Sequence, residues 1–185
     1  MKTEKKILLV STCKEKLHNL EFIKPVADIL AKNKIKFFIK HYKNLNKKDL
    51  EKARKIIICG TALKDNEYFC NIEKFNWILK IKKPLLGICS GMQIIAFLFH
   101  GKIEKKTEIG VVEVKTKTGK RFKVYTLHNF YVSPTKDFIP IAHSKKCVQI
   151  IKHKSKPIYG MLFHPEVLNK DLILKFVNNE IQDFE

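Results

Sequence analysis

Cys89 stands in the run Gly87-Ile88-Cys89-Ser90-Gly91, with apolar Leu85, Leu86 and Ile88 leading into it and the helically spaced Met92, Ile95, Ala96 and Phe99 following. Glycines two residues before and two after a nucleophile let a strand and a helix meet at a tight turn that lifts the side chain above the sheet edge. The helix then aims its N-terminal N–H groups and dipole at the sulfur, which favours thiolate, and the amide of Ser90 is placed to stabilise an oxyanion. The same pentapeptide also suits a plain strand-to-helix turn with a small buried residue, because cysteine is among the most buried residue types.

A second run, Phe163-His164-Pro165-Glu166, favours the catalytic reading. A thiol nucleophile needs a base to take its proton and return it to the leaving group, and that base needs a third group to hold its tautomer. His164 and Glu166 supply these two roles. Pro165 biases His164 to an extended conformation, and two residues apart on extended chain the side chains can lie on one side.

The elements that must position these residues follow from hydrophobic periodicity. Lys6–Ser11 reads as a buried parallel strand, Leu17–Lys32 as a helix with Pro25 in its first turn or at a kink, and Ile35–Lys40 as a second strand. A polar stretch, Lys43–Lys55, leads to the strand Lys55–Gly60, and the elbow strand and helix come next. This spacing predicts a mostly parallel α/β sheet with helices on both faces. Past the elbow, Ile103–Glu104, Val111–Thr116, Arg121–Leu127 and Ile139–Ala142 are short alternating segments, with a hairpin-like turn at Thr118-Gly119-Lys120. They predict an antiparallel extension in the second half. Val148–Lys152 and Pro157–Phe163 then form a hairpin that delivers His164, and Leu168–Ile181 closes the chain as a helix.

Together the two runs resemble the class I glutamine amidotransferases, whose glutaminase domain carries a Cys-His-Glu triad on G-[IV]-C-x-G-x-Q and F-H-P-E motifs. Within that family, Met92 before Gln93 and the stretch Ile141–Val167 are most similar to the glutaminase subunit of GMP synthetase. The resemblance implies a flavodoxin-like fold with catalytic Cys89, His164 and Glu166. It implies an oxyanion hole from the amide of Ser90 and the Gly60-Thr61 turn, where the family usually has Gly-Gly-Pro. It also implies L-glutamine as substrate, held by Gln93 with help from the backbone at Asn129 and Phe130, on a loop with His128. Thr61 departs from the family, because a β-branched residue resists the positive φ that glycine allows. Either Thr61 donates from an ordinary conformation or a partner rearranges the loop. Other departures are Leu162, where the family usually has Gln, and Ser11-Thr12-Cys13-Lys14, where GMP synthetase subunits carry an Asp-x-Gly-x-Gln-like stretch.

Composition bounds the remaining possibilities. The 185 residues, 45% of them hydrophobic, suit one domain, 1–185, with a sizeable core. The apolar run after the basic start is too short for a signal peptide or a membrane span. Five scattered cysteines without a C-x-x-C pair argue for reduced thiols in the cytoplasm and against a disulfide framework or a zinc site. The net charge of +19 is spread along the chain without an RNA- or DNA-binding motif, so nucleic acid is not an expected partner. By the resemblance, glutamine hydrolysis releases ammonia; the sequence shows no cofactor or metal motif, P-loop or adenylation domain to use it, so a separate synthetase subunit is expected, and the likeness to GMP synthetase implies a place in purine biosynthesis. Two other functions fit the sequence: a stand-alone γ-glutamyl peptidase or hydrolase, and a catalytically silent basic binding or regulatory subunit.

Overall fold

The computed structural model describes residues 6–180. Among the described residues, nine strands form one sheet in the order β2-β1-β3-β4-β9-β8-β7-β5-β6. They are β1 (Lys6–Ser11), β2 (Phe37–His41), β3 (Ala53–Ile58), β4 (Leu85–Ile88), β5 (Lys102–Thr116), β6 (Arg121–Ser133), β7 (Phe138–His143), β8 (Val148–His153) and β9 (Ile158–Met161). The strands β2, β1, β3, β4 and β9 pair in parallel, and β9, β8, β7, β5 and β6 pair antiparallel. The division into a parallel half and an antiparallel extension is the one the periodicity predicts.

Alternation along the parallel strands feeds two cores, because successive side chains leave a strand on opposite faces. Ile7, Leu9, Ile57, Leu86 and Ile88 pack on one face against α1 (Asn19–Phe22), α2 (Lys24–Lys32) and α7 (Lys170–Asn178), through Phe22, Val26, Leu30, Leu172, Ile173 and Phe176. Leu8, Val10, Ile56, Ile58 and Leu85 pack on the other face against α5 (Ser90–Leu98) and the 3₁₀ helix Ile72–Lys80, through Met92, Ile95, Phe75 and Ile78. Each of these fully buried side chains contributes about 1.5–3 kcal/mol. No helix among the described residues is long and apolar enough to cross a membrane.

Several boundaries differ from the sequence expectation, each for a physical reason. The helix expected over Leu17–Lys32 is a 3₁₀ turn, Lys16–His18, followed by α1 and α2 with a break at Ile23. Pro25 lacks an N–H to continue an earlier helix, and it occupies the first turn of a new one. The polar stretch Lys43–Lys55 contains α3 (Lys47–Lys52), started by a reciprocal capping box between Asn46 and Asp49. The short segments before and after the Gly119 turn are two long strands, 15 and 13 residues, that pair along a ribbon with a bulge between Lys105 and Glu108. Strand β6 therefore carries Leu127 to Phe130, which the family resemblance assigns to a loop. The closing helix is interrupted after α6 (Pro165–Leu168) and resumes as α7, and Ile181 lies outside the described residues.

Candidate active site

Strand β4 ends at Ile88, and Cys89 turns the chain into α5 with φ 49° and ψ −105°. A non-glycine residue in that region stores about 1–3 kcal/mol of strain, which the surrounding packing must hold. The flanking glycines explain how the turn closes. A Cβ on Gly87 would collide with the Gly91 carbonyl carbon, and one on Gly91 would come within 2.5 Å of the Ile58 carbonyl oxygen. Strand, turn and helix thus touch backbone to backbone. The Ser90 N–H, in the first turn of α5, has no carbonyl within the helix to bond. The Ser90 hydroxyl is anchored instead, 3.1 Å from the Cys59 carbonyl oxygen and 3.0 Å from Thr12 Oγ1.

His164 follows β9 and caps α6 at φ −102° and ψ 89°, clear of the helical region as the following proline requires. Glu166 lies in the first turn of α6 and not on extended chain, because Pro165 has the φ that begins a helix. The two side chains still meet: His164 Nδ1 is 2.7 Å from Glu166 Oε1, and both residues are buried. With Nδ1 committed to the carboxylate, Nε2 remains, and no group among the described residues hydrogen-bonds it. Burial alone would lower the His164 pKa, but the neighbouring Cys89 sulfur and then Glu166 outweigh it and hold the pKa well above the usual imidazole value. The imidazolium is therefore the favoured form.

Gly60, just past β3, sits against the imidazole. A Cβ there would lie 2.6 Å from His164 Cε1 and 3.4 Å from Cys89 Cβ, so no larger residue fits without moving the ring. Gly60→Ala is expected to lower kcat for glutamine by roughly 10²-fold, the cost of displacing a reacting group by about an ångström. Steady-state kinetics of a variant that keeps its far-ultraviolet circular dichroism would check this, and an unchanged kcat would remove His164 from the reaction path.

Cys89 opens onto a cleft of about 240 Å³ lined by Thr61, Ala62, Leu63, Asn66, Tyr68, Ser90, Gln93, Leu127, His128, Asn129 and Phe130. Every residue expected to bind substrate therefore borders the space in front of the thiol. Gln93 does so with both ends of its amide engaged: Oε1 accepts from Tyr68 Oη at 2.5 Å, and Nε2 donates to the Phe130 carbonyl at 2.6 Å. It ties the two walls of the cleft together. Thr61 has an ordinary φ, and its hydroxyl donates to Asp65 Oδ2 at 2.8 Å. The same carboxylate oxygen meets the Lys14 amide and His18 Nδ1. Burial would raise the Asp65 pKa, but these hydrogen bonds outweigh it and keep it below its usual value. The turn after β3 is thereby fixed.

Tyr68 and Asp65 were missed by sequence reasoning. Asp65 stands in a loop and Tyr68 in α4 (Glu67–Cys70), with no motif around either, and only the fold brings them to the cleft. Among the other cysteines, burial raises the thiol pKa of Cys13, of Cys59 and, to about 11, of Cys147, which leaves those three poor nucleophiles.

Known proteins share the sequence family and the fold of this chain. The family model described as "Glutamine amidotransferase class-I" matches residues 18–183. A GMP synthase (glutamine-hydrolyzing) of Spiroplasma kunkelii is 37% identical over 118 residues, which cover 55% of this chain and 23% of that protein. The matched stretch thus spans less than a quarter of that relative's length. In Methanosarcina mazei, one of the subunits of a GMP synthase (glutamine-hydrolyzing) is 30% identical over 118 residues, 55% of this chain and 62% of that protein. Among solved structures, a Thermoplasma acidophilum protein assigned as a GMP synthase subunit has TM-score 0.81 at 24% identity, over 97% of this chain and 94% of that one. A glutamine amidotransferase of Thermotoga maritima has TM-score 0.68 at 17% identity, over 98% and 94% of the two chains. These two structures establish a shared fold, and the family match runs through the elbow and the His-Pro-Glu turn alike: the chain belongs to the class-I glutamine amidotransferase family.

Proposed function

We propose that this chain is a glutaminase domain that hydrolyses L-glutamine to glutamate and ammonia. The observation that carries the reading is the strained Cys89 at the start of α5, beside a buried His164–Glu166 pair and open to a cleft bordered by Gln93. Cys89 thiolate attacks the side-chain amide carbon. The resulting oxyanion is held by the Ser90 amide and by the Gly60-Thr61 turn, in which Thr61 donates from ordinary backbone geometry. His164, oriented by Glu166, gives its proton to the departing ammonia, and the γ-glutamyl group remains on sulfur as a thioester. Water, deprotonated by His164, attacks the thioester carbonyl; thiolate leaves and glutamate is released.

The ammonia passes to a separate synthetase subunit, and the GMP synthase relatives make the amination that forms GMP the favoured destination. In this reading the chain is a single domain of a cytoplasmic enzyme of purine biosynthesis and needs no cofactor of its own.

Labelling with 6-diazo-5-oxonorleucine, a glutamine mimic that alkylates a reactive thiol, tests nucleophile and pocket together. Intact-mass spectrometry should show one adduct, absent from Cys89→Ala and blocked by glutamine. Absence of any adduct, also after addition of candidate synthetase subunits, would refute the glutaminase reading.

A further inference from the structure

Three side chains of metal-ligating type meet inside the antiparallel extension. Glu108 on β5, His128 on β6 and Cys147 before β8 are each at most 7% exposed, and one ligand atom from each lies within 4.8 Å of the other two. Glu108 and His128 face each other across the ladder immediately after the bulge. The turn between β7 and β8 brings Cys147 to them, so residues far apart in sequence share one point of the interior.

The hydrogen bonds fix what each group offers. His128 Nδ1 is 3.1 Å from the Lys106 carbonyl oxygen, which can only accept, so Nδ1 carries the proton and Nε2 carries the lone pair. Nε2 is buried without a hydrogen-bond partner among the described residues, 3.7 Å from Glu108 Oε2. Two acceptors at that distance gain nothing from each other, and a buried unsatisfied nitrogen is costly. Glu108 Oε2 is oriented by Gln149 Nε2 at 2.7 Å and by the Ser144 hydroxyl at 3.0 Å, while Ser144 Oγ also accepts from the Cys147 amide at 3.1 Å. A carbonyl behind an imidazole and donors behind a carboxylate are the outer partners that orient metal ligands. The nearby cations are engaged elsewhere: Lys106 Nζ pairs with Glu104, and Lys146 Nζ donates to the Thr107 carbonyl.

We infer that Glu108, His128 and Cys147 form a buried site for one thiophilic divalent cation of the zinc class, with a fourth position open to water. A sulfur, nitrogen and oxygen set of this kind suits tetrahedral Zn²⁺ or Co²⁺. Closing the ligand atoms to the roughly 3.5 Å separations of a tetrahedral zinc shell asks each to move by less than about 1 Å. On binding, the Cys147 S–H bond breaks, its proton goes to solvent and its electron pair forms the metal–sulfur bond. The thiolate and the Glu108 carboxylate then balance the two charges of the ion. His128 also lines the cleft beside Asn129 and Phe130, so a bound ion pins that wall to the Ser144–Cys147 turn.

The test is a titration of Co²⁺ into the Cys89→Ala protein, which removes the elbow thiol as a competing ligand. One equivalent should produce a thiolate-to-cobalt charge-transfer band with the d–d bands of a tetrahedral site, and Zn²⁺ should displace it. The band should vanish in Cys89→Ala/Cys147→Ser. Glu108→Gln keeps the side-chain shape and should retain the band with affinity reduced at least about tenfold. Absence of the band at excess cobalt, or its survival in the Cys147→Ser protein, overturns the site. Neither result depends on glutamine turnover.

Discussion

Glutamine turnover should fall by roughly 10⁴- to 10⁶-fold in Cys89→Ala, the range seen when a covalent nucleophile is removed and only binding and oxyanion stabilisation remain. The protein should still fold. Alanine keeps the Cβ, and it meets the same steric cost as cysteine at φ 49°, so the elbow geometry and its strain are preserved. The hydrogen bond that the substitution removes is weak, from Cys89 Sγ to the Leu127 carbonyl at 3.5 Å. Cys89→Gly makes the structural half of the argument independently testable. It removes the Cβ at a positive φ and should raise stability by about 1 kcal/mol while being equally inactive. Ammonia release measured by a coupled dehydrogenase assay, beside urea unfolding, would separate the two effects. Retained turnover in Cys89→Ala would end the thioester mechanism, because Cys13, Cys59 and Cys147 are buried thiols with raised pKa values and the exposed Cys70 does not line the cleft, so none can take its place.

What the sequence made legible follows from how local each signal is. Gly87, Cys89 and Gly91 announce an elbow because the backbone contacts that exclude a Cβ arise within one turn of chain. The continuous apolar runs of β1 and β3 mark strands buried on both faces, and the two cores confirm it. Non-local arrangements were not legible. Tyr68 reaches Gln93 from a four-residue helix, Asp65 fixes Thr61 from an irregular loop, and His128 stands on a strand whose length depends on pairing across a ribbon. The absence of a C-x-x-C pair bears only on ligands contributed by one local loop, whereas the inferred cation site would be of the non-local kind. Glu108 and His128 are brought together by sheet register and Cys147 by the turn before β8, which no local pattern records.

Glu166→Gln should reduce kcat by roughly 10²- to 10⁴-fold while leaving Cys89 in place, which distinguishes an orienting group from the nucleophile. The carboxylate does two things in the wild-type geometry. It accepts from His164 Nδ1 at 2.7 Å, which leaves Nε2 for the thiol, and its charge is one of the interactions that hold the His164 pKa well above the usual imidazole value. A glutamine of the same shape can present either its oxygen or its amide nitrogen to Nδ1. With nitrogen presented, the imidazole is driven to the tautomer with its proton on Nε2, and it can no longer take the proton of the thiol. With oxygen presented, the tautomer survives but the charge does not, so the imidazolium is less favoured. The sign of the pH effect follows: where His164 acts as the acid that protonates departing ammonia, its activity is lost as pH rises through its pKa. Lowering that pKa moves the alkaline limb of the kcat profile to lower pH. A residue that merely packed the site would lower the rate at every pH without moving the limb. The pH–rate profile and the rate of diazoketone labelling therefore decide the point together. A lower kcat, a limb displaced toward acid and a slower but complete Cys89 adduct are the expected set, whereas an unchanged profile would assign Glu166 a structural role alone.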